Sequence, residues 1–72
     1  MRIIKEVVQK RYIIYSYNAD PEGTVYITND PTLSPYDARN AYRFNCSDKK
    51  IKEIVRQINQ TRRGKWISEK VY

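Results

Sequence analysis

Four apolar residues in the C-terminal third of the chain constrain the fold more than any other feature. They stand at positions i, i+3, i+4 and i+7, the spacing of one helical face: Ile51, Ile54, Val55 and Ile58. Residues 45–48 offer several side chains that can cap a helix N-terminus. Gly64 suits the position after a helix end, with Arg62 and Arg63 in the last turn. The sequence therefore predicts one amphipathic helix over residues 48–62, whose apolar face needs a partner surface.

The first part of the chain predicts β-strands that supply this surface. Residues 2–9 and 11–17 are rich in β-branched and aromatic side chains and contain neither Gly nor Pro. Residues 18–23 collect Asn, Asp, Pro and Gly, a composition typical of a turn. Residues 24–28 then alternate with period two, which places Val25 and Ile27 on one face and Tyr26 on the other. We expect a hairpin followed by a half-exposed third strand.

The rest of the chain completes a sheet. Residues 29–40 form a long polar connection, in which Ser34, Pro35 and Asp37 have the chemistry of a helical turn that begins at Ser34. Residues 41–44 predict a short strand, and residues 65–72 a closing strand with Trp66 in the core beneath the helix. The expected fold is α+β, a small antiparallel β-sheet packed on one amphipathic helix. Its order is β-β-β-(turn)-β-α-β, in a single domain over residues 1–72.

The content of cysteine and histidine limits the chemistry of the chain. Cys46 is the one cysteine and there is no histidine, which excludes an internal disulfide and the usual zinc spacings. A lone cysteine indicates a reducing compartment, and we expect Cys46 to be a half-buried residue between strand and helix. The charged N-terminus lacks the pattern of a signal peptide, and no apolar run has membrane-spanning length. We therefore expect a cytoplasmic protein that does not bind membranes.

The sequence shows no catalytic pattern. General acid–base and nucleophilic catalysis usually depend on a group with a pKa near neutrality, most often histidine. Paired carboxylates at useful spacing and a glycine-rich phosphate loop are also missing. We expect no enzyme activity, no cofactor, no metal and no small-molecule substrate. A histidine-free ribonuclease site that uses Tyr42 and Arg43 is the catalytic alternative.

Positive charge is concentrated in the C-terminal third. The formal net charge is +6, of which residues 1–46 carry +1 and residues 47–72 carry +5. A second stripe of residues recurs opposite the isoleucine face of the helix: Lys49, Lys52, Arg56, Gln60 and Arg63. Its four cations, Lys49, Lys52, Arg56 and Arg63, are the predicted nucleic-acid-binding residues. The alternatives are an ordinary solvated face, with Lys49 paired to Glu53, or a surface for an acidic protein.

Four of the seven tyrosines fall on the predicted hairpin and third strand: Tyr12, Tyr15, Tyr17 and Tyr26. Strand alternation places Tyr15 and Tyr17 on one face and Tyr12 on the other, so one helix cannot bury every ring. Exposed rings beside basic residues are typical of protein-binding hot spots and of surfaces that stack unpaired bases. The four tyrosines are the predicted protein-binding residues, with a purely structural role as the alternative.

Residues 24–72 carry a pattern of apolar positions that is similar to a known class of proteins. The pattern consists of Thr28-Asn29-Asp30, Asp37-Ala38-Arg39-Asn40-Ala41-Tyr42-Arg43-Phe44, the isoleucine-faced helix and Lys65-Trp66-Ile67-Ser68-Glu69-Lys70-Val71. It resembles small proteins of unknown function carried by phages and prophages of Gram-positive bacteria. The resemblance implies an accessory protein in the cytoplasm of a bacterial host, in a class rich in DNA binders and in inhibitors of host or defence proteins. It assigns no functional residue.

Two functional hypotheses follow. The first is a small, non-catalytic basic module that binds nucleic acid through its basic helix face. The alternative is a phage-type inhibitor or modulator of a host or defence protein, which binds through the tyrosine-rich sheet.

Overall fold

The computed structural model describes residues 11–71, and the strand expected over residues 2–9 lies outside this range. The described chain contains four strands, one 3-10 turn and one α-helix. In order they are β1 (Arg11–Asp20), β2 (Gly23–Tyr26), the 3-10 turn (Ala38–Asn40), β3 (Phe44–Asn45), α1 (Asp48–Thr61) and β4 (Trp66–Val71). The α+β class and the small antiparallel sheet with one helix are confirmed.

Strand β1 is the centre of the sheet. Along one side it pairs antiparallel with β4, from Arg11 opposite Val71 to Ser16 opposite Trp66. Along the other side it pairs antiparallel with β3 at its start and with β2 towards its end. The chain reversal expected between residues 17 and 24 is confirmed, but the turn is confined to residues 21–22, because β1 continues to Asp20 and β2 runs from Gly23 to Tyr26. Strand β1 contacts every other strand of the described sheet.

Helix α1 covers one face of this sheet. Along β1 every second residue from Tyr12 to Ser16 is buried, and Ile14 and Ser16 are fully enclosed. Ile51 of α1 and Trp66 of β4 complete the buried cluster. Partly buried side chains surround it: Ala19, Val25, Ile27, Phe44, Cys46, Ile54, Val55 and Ile58. The predicted apolar helix face and the core position of Trp66 are confirmed, and burial of a side chain such as Ile14 contributes about 1.5–3 kcal/mol.

The ends of α1 follow from local side-chain chemistry. Ser47 caps the N-terminus, because its hydroxyl accepts a hydrogen bond from the Lys50 backbone N–H at 3.2 Å. The helix ends at Thr61, and Gly64 has a positive φ of 95° that lets the chain turn towards β4. Arg62 and Arg63 lie beyond the last helical turn, so the prediction that they occupy that turn was wrong.

The turn expected at Ser34 is present in the long connection. Residues 35–36 form it, and the Ser34 hydroxyl accepts a hydrogen bond from the Tyr36 backbone N–H at 3.3 Å. A 3-10 turn over Ala38–Asn40 follows, and its cap is Asp37, whose Oδ1 accepts from the Arg39 backbone N–H at 2.9 Å. The Pro35 carbonyl accepts a hydrogen bond from the Tyr26 backbone N–H at 2.8 Å, which lays the segment along β2. The short strand expected over residues 41–44 is shifted to Phe44–Asn45.

The connection is fastened to the hairpin by side chains as well. The Tyr36 hydroxyl donates a hydrogen bond to Asp20 Oδ2 at 2.6 Å, and this bond holds the pKa of Asp20 below its ordinary value. At the other end, the Tyr42 backbone N–H donates to the Ile27 carbonyl at 2.8 Å. Together with the bond between Tyr26 and Pro35, these contacts bind the connection to the hairpin at three points.

Candidate binding surfaces

The first candidate surface is the exposed side of α1. Lys49, Lys52 and Arg56 lie on the helix and are exposed. Arg63 lies beyond the helix end, and its backbone carbonyl accepts a hydrogen bond from the Trp66 indole Nε1 at 3.0 Å. The structure therefore brings three of the four predicted nucleic-acid-binding residues onto one helix and separates the fourth from the regular stripe.

The cations of the helix differ in whether a carboxylate binds them, because Arg56 forms an ion pair with Glu53. Arg56 Nη2 lies 2.5 Å from Glu53 Oε1, and Arg56 Nε donates to Glu53 Oε2 at 3.2 Å. This two-point contact lowers the pKa of Glu53 and raises the pKa of Arg56. The pair between Lys49 and Glu53, which belonged to the alternative of an ordinary solvated face, does not form. Within residues 11–71, no carboxylate forms a salt bridge with Lys49, Lys52 or Arg63.

A shallow depression of about 410 Å³ adjoins these lysines. It is lined by Ser47, Lys49, Lys50 and Glu53 at the N-terminal end of α1. The positive end of the helix dipole and two ammonium groups favour an anion here, whereas the Glu53 carboxylate opposes one. Because Glu53 is bound to Arg56, its charge is partly balanced.

The second candidate surface is the side of the sheet opposite α1. We call it the tyrosine face and define it by six residues: Ile13, Tyr15, Tyr17, Tyr26, Ile67 and Glu69. The register of β1 with β2 and β4 places Tyr26 and Ile67 on either side of Tyr15. Tyr12 is not part of this face, because its side chain is buried in the core and only 6% exposed. The structure thus brings together three of the four predicted protein-binding tyrosines.

The rings of the tyrosine face touch one another. The Tyr15 and Tyr17 centroids lie 5.2 Å apart in an edge-to-face arrangement, and the Tyr15 and Tyr26 centroids lie 5.7 Å apart. The Tyr17 side chain is 67% exposed, whereas Tyr15 is half-buried between its neighbours. A hydrogen bond with the Tyr17 hydroxyl, partial burial and the nearby Glu69 charge raise the pKa of Tyr15 to about 12. Tyr17 is therefore the ring that is most accessible to a ligand.

Two polar residues beside Tyr17, Asn18 and Lys65, were not predicted from the sequence to belong to a binding site. Tyr17, Asn18, Lys65 and Ile67 line an open depression of about 250 Å³. Asn18 is held in place because its Oδ1 accepts from the Lys65 backbone N–H at 2.8 Å and from the Ser16 hydroxyl at 3.0 Å. In the sequence Asn18 reads as a turn residue and Lys65 as part of a distant strand. Only the β1–β4 register brings the two together, so no local signal indicates this site.

Among residues 11–71, no three metal-ligating side chains lie close enough together to hold an ion, and no helix is long and apolar enough to span a membrane. Comparisons of the chain with protein families, with curated proteins and with solved structures find no match.

Proposed function

We propose that this chain is a non-catalytic binding module that holds nucleic acid through phosphate contacts from the exposed side of α1. The observation that carries the proposal is the charge balance of that helix. Lys49 and Lys52 are exposed and unpaired within residues 11–71, while the carboxylate of Glu53 is engaged by Arg56. Two unpaired ammonium groups on one rigid element suit the phosphates of a nucleic-acid backbone.

The geometry supports an order among the four predicted cations in their contribution to phosphate binding. Lys49 and Lys52 contribute most because their charges are available. Arg56 contributes less, since an incoming phosphate must compete with Glu53 for its guanidinium group. Arg63 lies past the helix end and contacts a different part of the ligand backbone. The resemblance to phage and prophage proteins adds the expectation that the nucleic acid is met in an infected bacterial host.

The test compares two variants that remove the same charge from different places. Lys52→Ala should weaken binding of a labelled duplex uniformly across sequences and reduce the salt dependence by about 0.9 units of slope for the lost contact. Arg39→Ala is the control, because Arg39 is 89% exposed but bound to Asp37 at 2.8 Å. It lowers the net charge by the same amount away from α1. Equal losses in both variants, or no duplex binding by the wild-type protein at low salt, would contradict the proposal.

A protein partner is the second candidate, in line with an inhibitor or modulator of a host protein. The observation that favours it is the exposure of Tyr17, since a large exposed aromatic side chain on a sheet face is typical of an interface hot spot. Capture of one identified host protein after nuclease treatment, lost on Tyr17→Ala and kept on Lys52→Ala, would favour this candidate over nucleic acid.

A further inference from the structure

The tyrosine face and the exposed side of α1 point in opposite directions. The helix packs on the face that carries Tyr12, Ile14 and Trp66, whereas Tyr15 and Tyr17 occupy the other face of the same strand. A duplex held by Lys49 and Lys52 therefore does not lie on the tyrosine face. If this second face has a ligand, it must be recognised by the groups found there.

Those groups combine three kinds of contact in one depression. Tyr17 offers an aromatic ring that is 67% exposed, Lys65 an exposed ammonium group and Asn18 an amide. The amide is positioned in advance, because two hydrogen bonds fix its Oδ1. Its Nδ2 donates no hydrogen bond within the described residues and is available to a ligand. A ring, a hydrogen-bond donor and a cation match the flat face, the polar edge and the phosphate of an unpaired nucleotide.

The residues around the Tyr17 depression could contact more than one nucleotide of a bound strand. Tyr15 and Tyr26 continue the row of rings from Tyr17 across the sheet. Arg11 and Lys65 stand at opposite ends of the paired length of β1 and β4, and within residues 11–71 neither forms a salt bridge. Glu69 is the one acidic residue of the face and lies beside Tyr15, away from the Tyr17 depression.

We infer that the tyrosine face binds single-stranded nucleic acid, with one base stacked on Tyr17 and the adjoining phosphate held by Lys65. The inference rests on the proposed function in taking nucleic acid as the ligand, and it adds a second surface that selects unpaired strands. The helix contacts are indifferent to base pairing because they reach phosphates alone. The Tyr17 contact requires a base that is free to leave its neighbours.

The experiment measures fluorescence anisotropy of a labelled oligothymidylate of about 16 nucleotides and of a duplex of equal length. Tyr17→Ala should weaken single-strand binding roughly 5- to 100-fold and leave duplex binding unchanged. Tyr17→Phe keeps the ring and should retain most of the affinity. Lys65→Ala should reduce the salt slope for the single strand by about 0.7. Tyr42→Ala is the matched control, since Tyr42 is 39% exposed but packs on Phe44.

The outcomes separate this inference from the proposed function. Duplex binding that depends on Lys52, together with single-strand binding that ignores Tyr17→Ala, would keep the proposed function and overturn the inference. Single-strand binding that depends on Tyr17, together with duplex binding that ignores Lys52→Ala, would support the inference and overturn the helix contacts. Failure of both oligonucleotides to bind would overturn both. If Tyr17→Ala loses an identified protein partner and keeps the single strand, the face is a protein site and the inference is wrong.

Discussion

The side chain of Asn59 brackets the backbone of Trp66. Asn59 Oδ1 accepts a hydrogen bond from the Trp66 N–H at 2.7 Å, and Asn59 Nδ2 donates to the Trp66 carbonyl at 3.1 Å. One helical amide thereby satisfies both backbone groups of the first residue of β4, much as a neighbouring strand would. The contact fixes α1 against the sheet at the point where Trp66 enters the core.

Asn59→Ala should destabilise the protein by about 1–3 kcal/mol, because it leaves the backbone groups of a buried residue without these partners. In a domain of this size each kcal/mol lowers the melting temperature by about 4–8 °C. Thermal unfolding followed by circular dichroism measures the loss. Gln60→Ala, at the adjacent exposed position, is the control and should melt as the wild type does. Equal melting temperatures for the two variants would show that the bracket contributes nothing.

Gly64 is required for two separate reasons. Its φ is 95°, and a Cβ at this position would lie 2.7 Å from Ala19 Cα and 2.8 Å from Ala19 Cβ. Gly23 also has a positive φ, of 143°, but a Cβ there would meet nothing within 4 Å. The two glycines thus differ in steric crowding and share an unfavourable backbone conformation.

Gly64→Ala should therefore be more destabilising than Gly23→Ala. The backbone strain costs about 1–3 kcal/mol at either position, and the clash with β1 at Ala19 adds about 1–3 kcal/mol at Gly64 alone. Chemical denaturation of both variants measures the difference. If Gly23→Ala is as unstable as Gly64→Ala, close packing of the helix exit against β1 is not the reason for Gly64.

Local patterns predicted the parts of the fold that depend on local chemistry. The spacing from Ile51 to Ile58 predicted α1, because amphipathic periodicity is a property of the segment itself. The cap and proline at Ser34 and Pro35 likewise predicted the turn at residues 35–36. The hydrogen bond from the Tyr26 backbone N–H to the Pro35 carbonyl was not predicted, because it joins this segment to another strand. No pattern within residues 29–40 indicates that contact.

For the candidate surfaces as well, local patterns predicted some features, whereas others depend on tertiary contacts. Alternation along β1 correctly separated Tyr12 from Tyr15 and Tyr17, since neighbouring strand residues point to opposite faces. The alternation did not indicate which of the two faces α1 covers. Tyr12 is buried because α1 packs on the face that carries it. The partner of Glu53 also depended on geometry, because Arg56 reaches it with two nitrogens and displaces the expected Lys49 contact.

The Tyr12 hydroxyl is buried without a hydrogen-bond partner among the described residues. Tyr12→Phe removes this hydroxyl and keeps the ring in the core, so the variant should be as stable as the wild type or more stable by up to about 1 kcal/mol. Tyr12→Ala should lose about 3–5 kcal/mol, since it empties a packed site. Tyr17→Phe, at an exposed ring, is the control and should change stability little. Destabilisation by Tyr12→Phe beyond this control would reveal a partner for the hydroxyl.

Alkaline pH should destabilise the protein partly through Tyr15. Its pKa is raised to about 12 in the folded protein, whereas a tyrosine in the unfolded chain titrates near its ordinary value of about 10. Between these values the folded state holds a proton that the unfolded state releases. Stability from this group is therefore complete below about pH 10 and is lost as the pH rises towards about 12.

The measurement is urea denaturation of the wild type and of Tyr15→Phe across this alkaline range. The wild type should lose stability more steeply than Tyr15→Phe between about pH 10 and pH 12, because the variant lacks the titrating hydroxyl. Glu69→Gln should lower the pKa of Tyr15 in an ultraviolet titration of tyrosinate, since a neighbouring negative charge opposes the ionised phenol. Tyr36→Phe is a demanding control, because a hydrogen bond to Asp20 also raises the pKa of Tyr36. Tyr36→Phe should also reduce the loss of stability at alkaline pH. Glu69→Gln should not change the pKa of Tyr36, because Asp20 and Glu22, and not Glu69, act on that hydroxyl. If Tyr15→Phe and the wild type lose stability in parallel, the hydrogen bond between the Tyr15 and Tyr17 hydroxyls does not raise the pKa of Tyr15. The rings of the tyrosine face are then held together by apolar contact alone.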